Sequence, residues 1–153
     1  MGRDNMPSDA ITSANIYPCL FYENAPAAIE WLCDAFGFVK RLVVAGPHGT
    51  VVHSELSFGP GIIMVGTASP KDGWVSPRNL PGVNQLISVQ VDDPDAHFAR
   101  ATSRGAVVTR PLRDEDYGSR GYMVKDLEGN HWCFATYRPG RHWTEGAGAA
   151  SAT

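Results

Sequence analysis

Apolar residues along this chain of 153 residues recur with two spacings, one typical of strands and the other of helices. Short runs rich in β-branched and aromatic residues predict four strands in the first half, at residues 16–22, 39–45, 51–58 and 62–66. Connections that contain glycine and proline separate the last three of these runs, which predicts hairpins. Pro18 places the first run at a sheet edge or at a strand start, because proline has no N–H for a ladder.

A helix is predicted between the first two strands. Asn24 is suited to its N-cap, Pro26 lies in its first turn, and Gly37 is suited to end it in a left-handed conformation. The apolar residues at helical spacing between them are Ala28, Ile29, Leu32, Ala35 and Phe36.

The second half repeats this order. Its predicted strands are residues 85–91, 107–112, 121–125 and 131–137. Its predicted helix covers residues 96–104, with Asp93 and Pro94 at its start and Gly105 at its end.

The repeat predicts an α+β fold of two βαβββ units whose curved mixed sheets cover each other. The units span about residues 15–66 and 85–139, joined by a loop at 67–84, within a single domain of residues 15–139. Flexible segments are predicted at residues 1–14 and 140–153. A generic α+β domain with coincidental symmetry is the alternative.

The composition and charge of the chain limit the kinds of binding partner that we expect. A net charge of −3 without a Lys/Arg run argues against nucleic acid, and no apolar stretch is long enough to span a bilayer. The cysteines Cys19, Cys33 and Cys133 are odd in number and widely spaced, which favours a reducing compartment. We therefore expect a cytoplasmic protein with neither nucleic-acid nor membrane partners.

Several segments resemble a known family. Residues 25–38 resemble the first helix of glyoxalase-like proteins, and residues 91–96 resemble the entry to their second helix. Residues 117–122 and 126–132 are similar to the closing motif of the branch related to a phosphonate-operon protein, except that Leu127 stands where that motif has proline. Over residues 16–139 the chain thus resembles the vicinal-oxygen-chelate superfamily of glyoxalases, bleomycin-resistance proteins and extradiol dioxygenases.

The resemblance implies sheets that curve around a U-shaped cavity, usually in a dimer. In metal-dependent members four side chains line the cavity, one each from the first and last strand of each unit. The corresponding residues here are Tyr17, Met64, Leu86 and Cys133. They are a poor set for a divalent ion, which prefers imidazole or carboxylate ligands, and a register shift of one residue adds only Gln85. We therefore expect no metal and no other cofactor.

His53 and Glu55 alternate along one strand and therefore share a face. They are either a catalytic pair that moves a proton or part of a solvated strand face, and the sequence favours neither. His131 is expected to cap or pack, and His48, His97 and His142 are expected to face solvent.

Aromatic and basic residues complete the candidate site. Trp74 lies in the loop that joins the units, as a lid over the cavity or as a clamp on the domain or its partner. Arg120 either anchors an anionic or carbonyl-bearing ligand or bonds to the turn at Asp126. Cys133 is expected to be a buried, inert thiol.

The leading hypothesis is a metal-free homodimer that binds a planar or aromatic small molecule, antibiotics included. The residues expected to line its cavity are Tyr17, Phe21, Met64, Trp74, Tyr122 and Trp132, with Leu86, Arg120 and Cys133 also in contact with the ligand. The rival hypothesis is a lyase, isomerase or dioxygenase that uses His53 and Glu55, or a divalent metal at unconventional ligands. A third is a subunit with an oligomeric or regulatory role.

Overall fold

A computed structural model describes residues 14–143, which form two units of the same order. The first unit contains β1 (Cys19–Tyr22), α1 (Ala25–Trp31), β2 (Val39–Ala45), β3 (Val51–Phe58) and β4 (Gly61–Thr67). The second contains β5 (Ile87–Gln90), α2 (Pro94–Ser103), β6 (Val107–Asp114), β7 (Arg120–Lys125) and β8 (His131–Ala135). The predicted α+β class and the βαβββ order are confirmed.

Each unit builds one four-stranded mixed sheet, ordered β1-β4-β3-β2 in the first and β5-β8-β7-β6 in the second. The first strand of each unit runs parallel to the last, and the remaining pairs are antiparallel. β1 is shorter than predicted and begins at Cys19. Pro18 cannot donate to the ladder, although its carbonyl accepts a hydrogen bond from the Met64 amide at 2.9 Å.

Both helices begin and end where their caps predict. The Asn24 side chain accepts a hydrogen bond from the Ala27 amide at 3.2 Å, and the Asp93 side chain accepts one from the Ala96 amide at 3.0 Å. After α1 the chain continues through a wider helical turn, Leu32–Phe36, before Gly37 ends it with a φ of 87°. That φ lies in the left-handed region, where glycine carries no Cβ penalty.

One hydrophobic core lies between the two sheets and contains the buried faces of both helices. Phe36 at the end of the first helical segment packs against Trp132 and Phe134 of β8, with ring centroids 5.3 and 4.7 Å apart. The Trp31 indole donates a hydrogen bond to the Arg104 carbonyl at 2.8 Å. Because each sheet turns its helix-facing side toward this shared core, its other side points away from the core.

Two buried carboxylates fasten the β7–β8 turn to the first unit. Asp126 accepts hydrogen bonds from the Tyr22 hydroxyl at 2.6 Å and the Trp132 indole at 3.0 Å. Glu128 accepts from the Ser76 hydroxyl at 2.6 Å and from the backbone amides of residues 23 and 24. The motif at residues 126–132 therefore has a structural role in joining the units.

The predicted flexible segments fall almost entirely on residues 1–13 and 144–153, outside the described residues. Within residues 14–143, neither helix has the length and apolar character needed to cross a membrane.

Candidate functional site

Each sheet has one side that faces the core and one open side. Strand alternation places Cys19, Met64, Glu55 and Leu42 in one row across the open side of the first sheet. Their strand neighbours Leu20, Val65, Ser54 and Leu56 are buried. We call this side, which also carries Phe21 and His53, the first open face.

The second sheet repeats the arrangement. Ser88, Cys133, Met123 and Arg110 form the equivalent row across β5, β8, β7 and β6. Trp132, Phe134, Tyr122 and Val124 alternate with them and are buried in the core. We call the side that carries this row the second open face.

The four positions that correspond to the family's metal ligands do not converge within one chain. Met64 lies on the first open face and Cys133 on the second, and each of these faces points away from the shared core. Tyr17 and Leu86 precede β1 and β5, so Cys19 and Ser88 are the residues that pair with Met64 and Cys133. The Tyr17 hydroxyl donates to the Ala14 carbonyl.

The chemistry of these positions does not fit a divalent metal. With the structural register, the set becomes two thiols, one thioether and one hydroxyl in place of imidazole and carboxylate groups. Among residues 14–143, no three of the His, Cys, Asp and Glu side chains come together as a metal-holding group.

His53 and Glu55 form a polar pair on the first open face. His53 Nε2 lies 2.8 Å from Glu55 Oε2, and both side chains are about two-fifths exposed, at 39% and 41%. Their cross-strand neighbours on the face are Val44 and Leu42. The pair is accessible and ordered by its own hydrogen bond, an arrangement compatible with either of its two predicted roles.

Phe21 and Trp74 form an aromatic stack beside this face. Their ring centroids are 4.8 Å apart with the planes inclined by 20°, and Trp74 is 53% exposed. Paired backbone hydrogen bonds between Ser69 and Trp74, at 2.8 and 3.1 Å, hold the loop in place. The stack and Cys19 line a cavity of about 770 Å³ between β1 and the joining loop. Trp74 therefore packs on its own chain and still presents half of its surface.

Tyr122 and Trp132 are not on an open face, and the expectation that they line the cavity is corrected. Both are fully buried, because alternation along β7 and β8 directs them to the helix-facing side. The Tyr122 hydroxyl lies 2.5 Å from His97 Nδ1, and burial raises the pKa of Tyr122.

His97 likewise does not face solvent as predicted. Its Nε2 lies 2.8 Å from the Phe36 carbonyl oxygen and its ring packs on Phe134, with centroids 4.1 Å apart. The carbonyl can only accept, so Nε2 carries the proton and Nδ1 accepts from Tyr122. Burial lowers the pKa of His97 below its ordinary value.

Arg120 does not bond to the turn at Asp126, and its predicted role as an anchor for a ligand stays a prediction. Its guanidinium binds Asp95 of α2 through two hydrogen bonds of 2.9 and 2.8 Å, with Asp114 3.3 Å away. Arg120 therefore joins β7 to the first turn of α2.

Sequence reasoning missed Cys19, Ser88 and Arg110 on the open faces. Pro18 indicates the position of Cys19. Because β1 starts after this proline, the residue that pairs with Met64 is Cys19, two residues after the predicted Tyr17. Arg110 could have been found by extending the alignment of the two units from the first and last strands to β2 and β6.

Comparisons with known proteins place the chain in a family. The model of the Glyoxalase/Bleomycin resistance protein/Dioxygenase superfamily matches residues 14–134. An uncharacterized protein of Mycobacterium tuberculosis strain H37Rv is 30% identical over 139 residues, which cover 86% of this chain and 82% of that protein. An uncharacterized protein of Mycobacterium bovis is 33% identical over 118 residues, covering 75% and 78%.

Solved structures agree. The crystal structure of TioX from Micromonospora sp. ML1 is 32% identical, with a TM-score of 0.65, and the match covers 82% of this chain and all of that one. A glyoxalase/bleomycin resistance protein/dioxygenase family enzyme from Burkholderia phytofirmans PsJN is 18% identical, with a TM-score of 0.63 over 78% and 94% of the chains, and shows the fold alone. The chain belongs to the Glyoxalase/Bleomycin resistance protein/Dioxygenase superfamily.

Proposed function

We propose that this protein binds a planar or aromatic small molecule, antibiotics included, on its first open face and without a metal ion. The observation that carries the proposal is the half-exposed Phe21–Trp74 stack beside a cavity of about 770 Å³. A cavity of this size falls in the range typical of small-molecule sites. The narrower resemblance to the phosphonate-operon branch stays a prediction and adds no activity to the proposal.

The stack favours a flat ligand. Two parallel rings offer a further face on which a third ring can stack, and such aromatic pairs gain about 0.5–1.5 kcal/mol beyond area burial. The other lining residues include the apolar side chains of Val75, Leu80 and Val83, which would surround the rest of a ligand. Removal of this apolar surface from water supplies affinity without chemistry.

A second copy of the chain completes the cavity in this proposal. The first open face of one copy would lie opposite the second open face of the other, since within one chain the two faces point apart. Exposed apolar side chains support the pairing, with Leu42 and Val44 on the first face exposed by 44% and 43%. A monomer would leave these side chains in water.

Intrinsic tryptophan fluorescence tests the binding function, with 2-naphthoate, 2-naphthamide and acridine as probes. We expect saturable quenching by at least one of them, and an affinity about three- to tenfold weaker in Trp74→Ala and Phe21→Ala. Trp143→Phe is the matched control, because Trp143 follows β8 and is 75% exposed. A panel without a saturable response, or stack variants that bind like the parent, would contradict the proposal.

The His53–Glu55 pair supports a second candidate, an enzyme of the same superfamily that moves a proton on its ligand. Bound ligand recovered unchanged after prolonged incubation supports binding alone. Recovery of an isomerised or cleaved product, lost in His53→Gln while binding persists, supports catalysis. Elemental analysis is the parallel test of the metal-free claim, which a stoichiometric divalent metal would contradict.

A further inference from the structure

Arg110 is the charged member of the row that crosses the second open face. It pairs with Met123 of β7, which in turn pairs with Cys133 of β8. The equivalent position on the first open face is Leu42, so the two faces differ in charge at this point.

The guanidinium of Arg110 is poorly satisfied by the protein itself. Its Nε is buried and has no hydrogen-bond partner among residues 14–143. The carboxylate that faces it, Glu115, has Oε1 3.5 Å from Arg110 Nη1, which is too long for a good hydrogen bond. That same oxygen lies 2.5 Å from Arg113 Nε, so Arg113 holds it in place.

A buried guanidinium Nε without a hydrogen-bond partner is unusual, because a buried donor left unpaired costs free energy. The Arg110 side chain is 24% exposed and that of Glu115 is 18% exposed, so both side chains are largely withdrawn from bulk water. Other arginines in this part of the chain are paired: Arg113 bonds to Glu115 and Arg120 to Asp95. Arg110 thus retains a guanidinium Nε–H that no acceptor among residues 14–143 satisfies.

The charge of the surrounding face fits an anion. Lys125 pairs across the ladder with Val107 and shares the second open face with Met123, and Arg113 lies on the same side opposite Gly121. Glu115 is the carboxylate close to Arg110, and it is shared with Arg113. An oxyanion near Arg110 would therefore meet an excess of positive charge.

We propose that Arg110 is a specificity-determining residue that binds an oxyanion, a carboxylate or a phenolate, carried by the aromatic ligand. The inference rests on the proposed function and deepens it, since it narrows the ligand from any planar molecule to an anionic one. The planar fork of the guanidinium can hold a carboxylate by two donors, an arrangement that lysine cannot reproduce.

Binding of two matched probes, 2-naphthoate and 2-naphthamide, tests the inference, since they share a ring system and differ in charge. We expect the parent to bind the carboxylate about tenfold more tightly than the amide, and Arg110→Ala to abolish that preference. Arg110→Lys keeps the positive charge but loses the planar guanidinium with its two parallel donors, so it should restore little of the preference for 2-naphthoate. Lys125→Ala, the matched control, removes a charge from the same face and should change the preference by less than about threefold.

The Nε–H resonance of Arg110, assigned by its absence in Arg110→Lys, gives a second readout that does not depend on affinity. It should shift on addition of 2-naphthoate and stay in place with 2-naphthamide. Equal affinity of the parent for both probes, or an unmoved resonance at saturating 2-naphthoate, overturns the role of Arg110 and leaves the proposed function intact. Failure of both probes and of acridine to bind overturns both.

Discussion

Asp126 is the most connected polar side chain in the described part of the molecule. It accepts hydrogen bonds from Tyr22, from Trp132 and from the backbone amides of residues 128, 129 and 130. Asp126→Ala would leave the Tyr22 hydroxyl and the Trp132 indole buried without an acceptor. We expect a loss of about 3–5 kcal/mol in the free energy of unfolding, measured by urea denaturation.

Tyr22→Phe is the control for this loss, because it removes one of the same hydrogen bonds and leaves Asp126 with its remaining donors. It should cost about 1 kcal/mol. If Asp126→Ala proved no more costly than Tyr22→Phe, the four hydrogen bonds that Asp126 accepts within the second unit would add nothing to stability.

His97 predicts a pH dependence of stability. Burial lowers the pKa of His97 in the folded state below its ordinary value near 6.5, and the neighbouring Arg100 acts in the same direction. The unfolded chain therefore binds a proton at a higher pH than the folded chain does. The contribution of His97 to stability is thus present above about pH 6.5 and is lost as the pH falls through the folded pKa.

Thermal denaturation between pH 7.5 and pH 5.5 measures this effect. We expect the melting temperature of the parent to fall over this interval and that of His97→Gln to fall less. Glutamine can still donate to the Phe36 carbonyl and accept from Tyr122, so the variant isolates the proton from the packing. Parallel curves for the two proteins would rule out His97 as the titrating group.

His97 and Arg120 show where residue-scale prediction stopped. Helical spacing predicts α2 but carries no information about which residues its side chains contact, and it therefore does not predict the burial of His97. The partner of Arg120 is Asp95, 25 residues away in the chain, and the sequence offered Asp126 as an equally reasonable one. Pairwise contacts between elements depend on packing, which local patterns do not specify.

At the scale of elements, β7 and β8 lie so close at Gly121 that a Cβ there would contact the backbone of β8. A Cβ at this position would lie 2.5 Å from the Phe134 carbonyl oxygen and 2.8 Å from the Ala135 Cα, and closer still to the Ala135 Cβ. Backbone atoms cannot move aside as a flexible side chain can. Gly121→Ala should therefore lower the free energy of unfolding by about 1–3 kcal/mol.

Gly82→Ala is the matched control, since a Cβ there meets nothing within 4 Å. Urea denaturation of this variant should stay within about 0.5 kcal/mol of the parent. A Gly121→Ala protein as stable as Gly82→Ala would mean that the β7–β8 pair separates at little cost.

Element boundaries were predictable where local chemistry sets them. β2 and β3 have the predicted bounds, because glycine- and proline-containing segments surround them on both sides. β6 runs two residues beyond its predicted end, since Asp114 pairs with Arg120 of β7. That extension depends on pairing with a neighbouring strand, and the local sequence of β6 does not predict it.

At the scale of the molecule, the sequence predicted which side chains share a face but not which face the other unit covers. Alternation along β4 places Met64 and Val65 on opposite sides of the first sheet. Alternation along β8 does the same for Cys133 and Phe134 in the second sheet. Either group could in principle have met the other unit. The apolar side chains of both helices and Phe36 determine which side of each sheet is buried, because they form the core that the two units share.

A cavity shared between two copies makes a prediction that a cavity within one chain does not. Trp74→Ala damages the wall on the first open face, and Arg110→Ala damages the wall on the second. Each variant alone forms dimers in which both cavities are defective. A mixed dimer contains one cavity built from the intact Trp74 of one copy and the intact Arg110 of the other.

After the two variants are unfolded together and refolded at equal amounts, about one cavity in four should be intact, if copies pair at random about a two-fold axis. Titration with 2-naphthoate should then recover parental affinity at about a quarter of the parental number of sites, while each variant refolded alone recovers none. The refolded mass should be about twice 16.5 kDa by light scattering. A mixture that binds no better than its components would place both walls in the same chain. The two open faces, which both point away from the shared core, would then have to come together by a rearrangement of the units before binding.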